Sequence, residues 1–345
     1  MRRHLVLAIS LCFMLALLLP ASAQQDAEPT QTAEAVNLVV WWPDALAPLG
    51  DSEVDETIAD LIAEFEATET DVTITFRRKT LNDPGGIMPT LRTGSAIAPG
   101  ALPDVTILRR EEMILAEQLG LIRPLEGLIP ASIIADLGQV LPLGQVDNEL
   151  YGLPLLLNMR HLVYRSSDTP LVQWSFDDVL ALGEPLAFPA NRATGISDMF
   201  FAQYLDAGGA VSLSGELVFN EEALLTVLTF YEQARENGLI SDAVQGYSSM
   251  ADYLPLLSDG SLNVAVVDTT TYLQLASQSP DLRVASLPVA SGQPTAILGG
   301  WMWAMVTRDE ARQALVSRFI TFMSQPEQQV RYANAIQRMP ARPAA

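Results

Sequence analysis

Residues 287–340 read LPVASGQPTAILGGWMWAMVTRDEARQALVSRFITFMSQPEQQVRYANAIQRMP. Leu287-Pro288 ends one strand, and a polar turn follows. Gly299-Gly300 then opens an aromatic strand over 301–306, which carries Trp301 and Trp303. Two helices come next, the second opened by Ser324-Gln325-Pro326-Glu327. Strand, turn, strand, helix, helix is an α/β order.

Working outward, the N-terminal half repeats that mixture. Residues 36–40 are a short apolar run bounded by Pro43, the pattern of a buried strand. Ser52 and Asp55 have capping-box spacing, and Val54, Ile58, Leu61, Ile62 and Phe65 recur at helical intervals. Residues 72–76 alternate with period two. Strand, helix and strand of these lengths make a βαβ unit, hence a parallel pair with a right-handed crossover. A strand is expected from Pro103-Asp104 to residue 108, and a helix over 111–119 that Gly120 stops. Another strand is expected over 150–157, carrying Tyr151-Gly152-Leu153-Pro154. Residues 162–263 read as mostly helical. Their clearest helix is capped by Asn220, puts Leu224, Val227, Leu228 and Tyr231 on one face, and ends at Gly238. A buried strand returns over 262–267, and no repeat of fixed period is present.

The first 23 residues read as a signal peptide. Arg2 and Arg3 precede an apolar run over 5–19, short for a membrane span, and Ala21-Ser22-Ala23 is a cleavage signal. Residues 24–35 are a polar leader. Cys12, the single cysteine, lies within the apolar run, so the mature chain has no disulfide, thiolate nucleophile or cysteine ligand. Such a secreted chain is held by its core. The formal charge is −21. That balance repels phosphate backbones and argues against nucleic-acid partners; its plainest use is solubility. Of 2 histidines, only His161 survives cleavage, which excludes a histidine metal cluster. No G-x-S-x-G, H-E-x-x-H, P-loop or G-x-G-x-x-G occurs, so no enzyme motif and no cofactor is indicated.

Several segments resemble, in order, the extracellular solute-binding proteins (family 1) of ABC importers, of which maltose-binding protein is a type. LPDVTILRREEMILAEQLGLIRPLEGLI is similar to the family's strand, helix and G-L-L-x-P-L segment. NELYGLPLLLNMRHLVYR is similar to its G-x-x-Y-G-x-P…Y-N segment, with Arg165 in place of the common asparagine. Gln173-Trp174-Ser175-Phe176-Asp177-Asp178, Phe219-Asn220 through Gly238-Leu239, LSDGSLNVAVVD and the 287–340 stretch complete the series. Family chains commonly continue with further helices past the position of Arg342, and this one stops at Ala345. The resemblance implies an α/β, two-lobed periplasmic-binding-protein fold of type II. Each lobe is then a mostly parallel sheet flanked by helices, with the ligand cleft between lobes. It implies residues 36–158 plus 269–307 in lobe 1 and 159–268 plus 308–345 in lobe 2, with crossings near 158–160, 268–270 and 306–309. It implies hinge closure on a sugar or similar solute without covalent chemistry, delivery to membrane permease subunits, and a monomer.

Eight residues are candidates for the ligand site. Trp42 and Asp44 stand at the carboxyl end of the first strand, where parallel sheets place ligands. Trp42 is preferred to Trp41 as the nearer to that end, with Asp44 able to accept ligand hydroxyls or to cap a turn. Gly300 permits close backbone approach, and Trp301 offers an indole face for a pyranose, whereas Trp303 reads as core. Asn158, Arg160 and Asp268 fall at the implied crossings and suit vicinal hydroxyls, and Tyr272 is a further stacking candidate. For each, the competing reading is structural: core packing for the aromatics, interlobe bonds for the polar residues. Two other functions remain open. A polyamine or other small-solute receptor would exploit the acidity. An extracellular glycoside hydrolase would use a carboxylate pair such as Asp147 and Glu149.

Overall fold

The structure is a computed structural model, and it describes residues 35–165, 173–191, 195–212 and 217–345. The expected signal peptide and almost all of the leader lie outside these residues. Nine strands form one ladder: β1 (Val36–Pro43), β2 (Val72–Lys79), β3 (Val105–Arg109), β4 (Gly152–Arg165), β5 (Leu186–Ala187), β6 (Val264–Asp268), β7 (Leu282–Ala285), β8 (Leu298–Met305) and β9 (Met339–Pro340). The order is β2-β1-β3-β8-β4-β6-β5, with β7 and β9 also paired to β4. β2, β1 and β3 run parallel, as the βαβ spacing requires, and β6 and β5 are parallel too. The strands that join the halves, β4 and β8, run antiparallel to their neighbours.

Period-two alternation sorts the apolar residues onto four cores. In the first half Leu38, Val40, Trp42, Trp303 and Met305 face one core, and Trp41, Met302, Ala304 and Val306 face the other. In the second half Leu162, Tyr164, Val264 and Val266 face one core, and Val163, Ala265 and Val267 the other. Helices pack on both faces of the sheet, so these apolar strand residues are buried on either side.

The 14-residue β4 belongs to both halves. Its residues 152–159 pair with β8, two of them also with β9, and residues 160–165 pair with β6 and β7. The chain crosses inside this strand and returns on entering β8. Two expected crossings move accordingly. After Asp268 the chain stays with the second half, because the helix Thr269–Ala276 contributes Tyr272 and Leu275 to its core and β7 pairs with β4. After Met305 it stays with the first, where Val306 and Thr307 donate to the Asp104 carbonyl.

The expected division 308–345 is corrected too. The helices Glu310–Met323 and Pro326–Ala335 bury Phe319, Ile320, Met323 and Tyr332 in the first core. Arg312 pairs with the buried Asp104, which also accepts from Val39 N–H. The two helices therefore seal β1 and β3 and do not enlarge the second half.

Candidate functional site

The two crossing stretches lie side by side as an antiparallel ribbon, with Leu298 opposite Met159 and Gly299 opposite Asn158. Successive strand side chains point to opposite faces. Asn158 and Arg160, with Met159 between them, line a cleft of about 500 Å³, and His161 lines a groove on the reverse of the ribbon. The cleft is completed by Arg109 at the carboxyl end of β3, Arg110 and Glu111 from the helix that begins there, Asp198 and Asp268 from the second half, and Gly300 and Trp301 from β8. Of the eight sequence candidates the structure brings five together: Asn158, Arg160, Asp268, Gly300 and Trp301.

Gly300 has a specific reason to be glycine. A Cβ there would stand 2.2 Å from the Leu156 carbonyl oxygen, whereas one at Gly299 would meet nothing closer than 3.8 Å. Only at Gly300 does the close approach of the two strands forbid a side chain. Immediately after it the β4–β8 register shifts between Trp301 and Met302. Trp301 reaches the cleft but is only 8% exposed, packs with the first core, and has the Arg109 guanidinium 6.0 Å over its ring. It borders the cleft and does not offer an open indole face.

The remaining three candidates lie elsewhere. Trp42 is fully buried. Its Nε1 donates to Tyr332 Oη at 2.7 Å, and its ring meets Trp303 edge-on at 5.1 Å. The helix Pro326–Ala335 covers the carboxyl end of β1, and this displaces Trp42 from the cleft. Trp41 faces the opposite core, also buried, with Lys79 Nζ 4.0 Å from its ring centroid. Asp44 is exposed and accepts from its neighbour Ala45 N–H at 2.8 Å, outside the cleft lining. Tyr272 lines the groove on the reverse face of the ribbon.

The cleft is a web of paired charges. Asp268 Oδ1 accepts from Thr271 N–H at 2.8 Å and so caps the helix Thr269–Ala276. Its Oδ2 faces Asn158 Nδ2 at 3.4 Å and an Arg160 nitrogen at 3.5 Å. Arg160 Nε donates to Asp198 Oδ2 at 3.0 Å. Arg109 Nε donates to Glu112 Oε2 at 3.0 Å and lies 3.4 Å from Glu111; its bond to Glu112 raises the guanidinium above its usual range. Arg110 donates to the Pro142 carbonyl at 2.9 Å and to that of Leu143. All three lining carboxylates thus stand beside an arginine. Asn158 Oδ1 is buried and accepts from none of the described residues. Among the described residues no group of three or more histidine, cysteine or acidic side chains is arranged to hold a metal. The arrangement offers fixed hydrogen-bond donors and acceptors with little net charge.

Sequence reasoning missed Arg109, Arg110, Glu111 and Asp198. The strand-end argument used for Trp42 applies equally to Arg109 and could have found it. Asp198 opens a helix remote in sequence from every crossing, and no local signal marks it.

Comparison with known proteins places this geometry. A family model described as bacterial extracellular solute-binding protein matches residues 60–345. Among curated proteins no sequence match was found. The fold is similar to that of the cyclic alpha-maltosyl-1,6-maltose binding protein from Arthrobacter globiformis, with TM-score 0.72 and 16% identity over 89% of this chain and 80% of that one. It is similar to the maltodextrin binding protein MalE1 from L. casei BL23, with TM-score 0.71 and 15% identity over 90% and 80%. It is also similar to the family 1 extracellular solute-binding protein from Alicyclobacillus acidocaldarius, with TM-score 0.67 and 18% identity over 90% and 80%. No helix of the described residues is long and apolar enough to cross a membrane. With a match that runs through both crossings, the cleft and the C-terminal helices, the chain belongs to the bacterial extracellular solute-binding protein family.

Proposed function

We propose that this protein is the extracytoplasmic receptor of an ABC importer and that its cleft captures a neutral carbohydrate or related polyhydroxylated solute without covalent chemistry. The observation that carries this reading is the pairing of the cleft charges. Asp198 and Asp268 share Arg160, and Glu111 has Arg109. A solute entering such a cleft meets polar atoms already fixed in direction, at little cost in reorganisation, and a polyol can donate to Asn158 Oδ1 and Asp268 while accepting from Arg160. Gly300 and the exposed margin of Trp301 border the space that the solute fills. Maltose and maltodextrin in the descriptions of the fold neighbours agree with this solute class.

A polyamine would need carboxylates free to neutralise it, and those of this cleft already have guanidinium partners. The hydrolase reading loses its carboxylate pair. Asp147 and Asn148, at φ 49° and 66°, form the left-handed turn of a hairpin, and Glu149 accepts from Tyr151 Oη at 2.8 Å; none of them lines the cleft. Closure of the halves about the ribbon, release of residues 1–23 on export, a monomeric state and docking to permease subunits complete the proposal.

Isothermal titration of protein beginning at Gln24 against maltose, maltotriose, simple hexoses and spermidine tests it. Saturable binding of a sugar, with compaction in small-angle scattering, is expected. Binding of spermidine alone, or turnover of a bound glycoside, overturns it.

A further inference from the structure

The reverse face of the crossing ribbon carries a second concavity, a groove of about 470 Å³. Its walls come from both halves. Tyr272 and Leu273 of the helix Thr269–Ala276 and Val284 of β7 line one side, and Ala333, Met339 and Pro340 line the other. The floor is polar, with His161 Nε2 2.8 Å from Thr269 Oγ1. This groove shares no lining residue with the cleft.

Arg338 at its edge differs from Arg109 and Arg160 of the cleft and, like Arg110, is bonded to neutral oxygens. Its guanidinium donates to Thr270 Oγ1 at 3.0 Å and to the Ala45 carbonyl at 3.3 Å, both neutral. No carboxylate lies within ion-pair distance of it among the described residues, although the chain holds 41 acidic residues against 20 basic ones. Arg109, Arg160, Arg312, Arg331 and Arg342 all have carboxylate partners. Burial pushes the Arg338 guanidinium below its usual range, against the opposing influence of Tyr332 and Asp268. A half-buried cation bonded only to neutral oxygens is undercompensated, and an anion delivered to it recovers a charge-assisted hydrogen bond. The apolar walls beside it fit a short hydrocarbon or aromatic tail.

We propose that this groove is a second ligand site, taking a small amphipathic carboxylate whose anionic end sits against Arg338 and whose apolar end rests between Leu273 and Met339. The site depends on the chemistry of the groove alone and stands whatever solute the cleft takes.

Titration calorimetry with octanoate, below the concentration at which it self-associates, tests the proposal, with 1-octanol as the neutral match. Saturable one-to-one binding of octanoate is expected, with octanol about tenfold weaker, the size of one charge-assisted hydrogen bond. Leu273 is partly exposed, so Leu273→Asp sets a like charge at the mouth of the groove without disturbing a core. It should abolish octanoate binding while the unliganded melting temperature stays within a few degrees of wild type. Arg338→Gln should weaken octanoate at least tenfold and leave octanol unchanged. Absence of saturable heat with wild type, equal affinity for octanoate and octanol, or undiminished binding to Leu273→Asp would each overturn the site.

Discussion

Trp303 and Trp301 are two residues apart on β8 and face the same core, yet they stand in different physical regimes. Trp303 is fully buried among aromatic neighbours, with Trp42 at 5.1 Å and Phe319 at 5.5 Å, both edge-on. Trp301 sits where the sheet runs out into the crossing ribbon, with a guanidinium over its ring and the cleft at its margin. The difference shows how one strand serves folding and recognition together. Interior positions gain from filled volume, and the position at the strand's mouth gains from what the adjoining chain leaves uncovered.

The sharpest way to break that contrast is Trp303→Ala. Loss of a fully enclosed indole is expected to cost about 3–5 kcal/mol in denaturant unfolding. A loss below about 1 kcal/mol would mean that the aromatic cluster is not a close-packed core. Trp301→Ala should cost less, about 2 kcal/mol of stability, and should also weaken solute binding roughly tenfold. Affinity unchanged at a temperature where the mutant is folded would move Trp301 wholly into the core class.

Arg160 sharpens the comparison from the polar side. Arg160→Met leaves Asp198 and Asp268 without their shared cation. A stability loss of about 1–2 kcal/mol is expected, with sugar affinity falling and spermidine affinity rising. A mutant that gains no affinity for spermidine would show that charge pairing does not set the selectivity of the cleft.

The smallest effect belongs to the ribbon's reverse face. Burial lowers the His161 imidazole below its ordinary range. The folded state therefore binds a proton less readily than the unfolded chain does. The stability due to neutral His161 is fully present above the unfolded value of about 6.5 and is lost as the pH falls through the folded value. The melting temperature of wild type should fall more steeply than that of His161→Gln on acidification below about pH 6. Parallel curves would exclude the effect.

Much of the scaffold was legible because local chemistry was unambiguous. The alternation at 72–76 gave β2. Asn220 does cap its helix, accepting from Ala223 N–H at 3.1 Å. At the first helix the cap lies one residue earlier than expected: Asp51 accepts from Val54 N–H, and Asp55 is taken by Arg78. Periodicity failed where apolar residues surround a helix. The buried face of Glu221–Glu236 is Ala223, Val227, Phe230 and Ala234, fixed by Phe230 stacking on Phe176 at 4.2 Å, and Leu228 is left 49% exposed. The lining of the candidate cleft was legible at the crossing residues Asn158 and Arg160. It was not legible at Trp42, because nothing near residue 42 announces a helix that arrives from residues 326–335.

The Trp42–Tyr332 hydrogen bond joins residues 290 positions apart, and Ala341 N–H donates to Leu155 O at 3.0 Å. β1 therefore gains the full cover of its hydrophobic face only when a segment 290 positions later in the chain is present. Completing the core from the N-terminal strands alone, as a domain that closes first during synthesis would, is at odds with this topology. Before that later segment is available, Leu38, Val40 and Trp42 lack part of the cover that buries them in the folded protein.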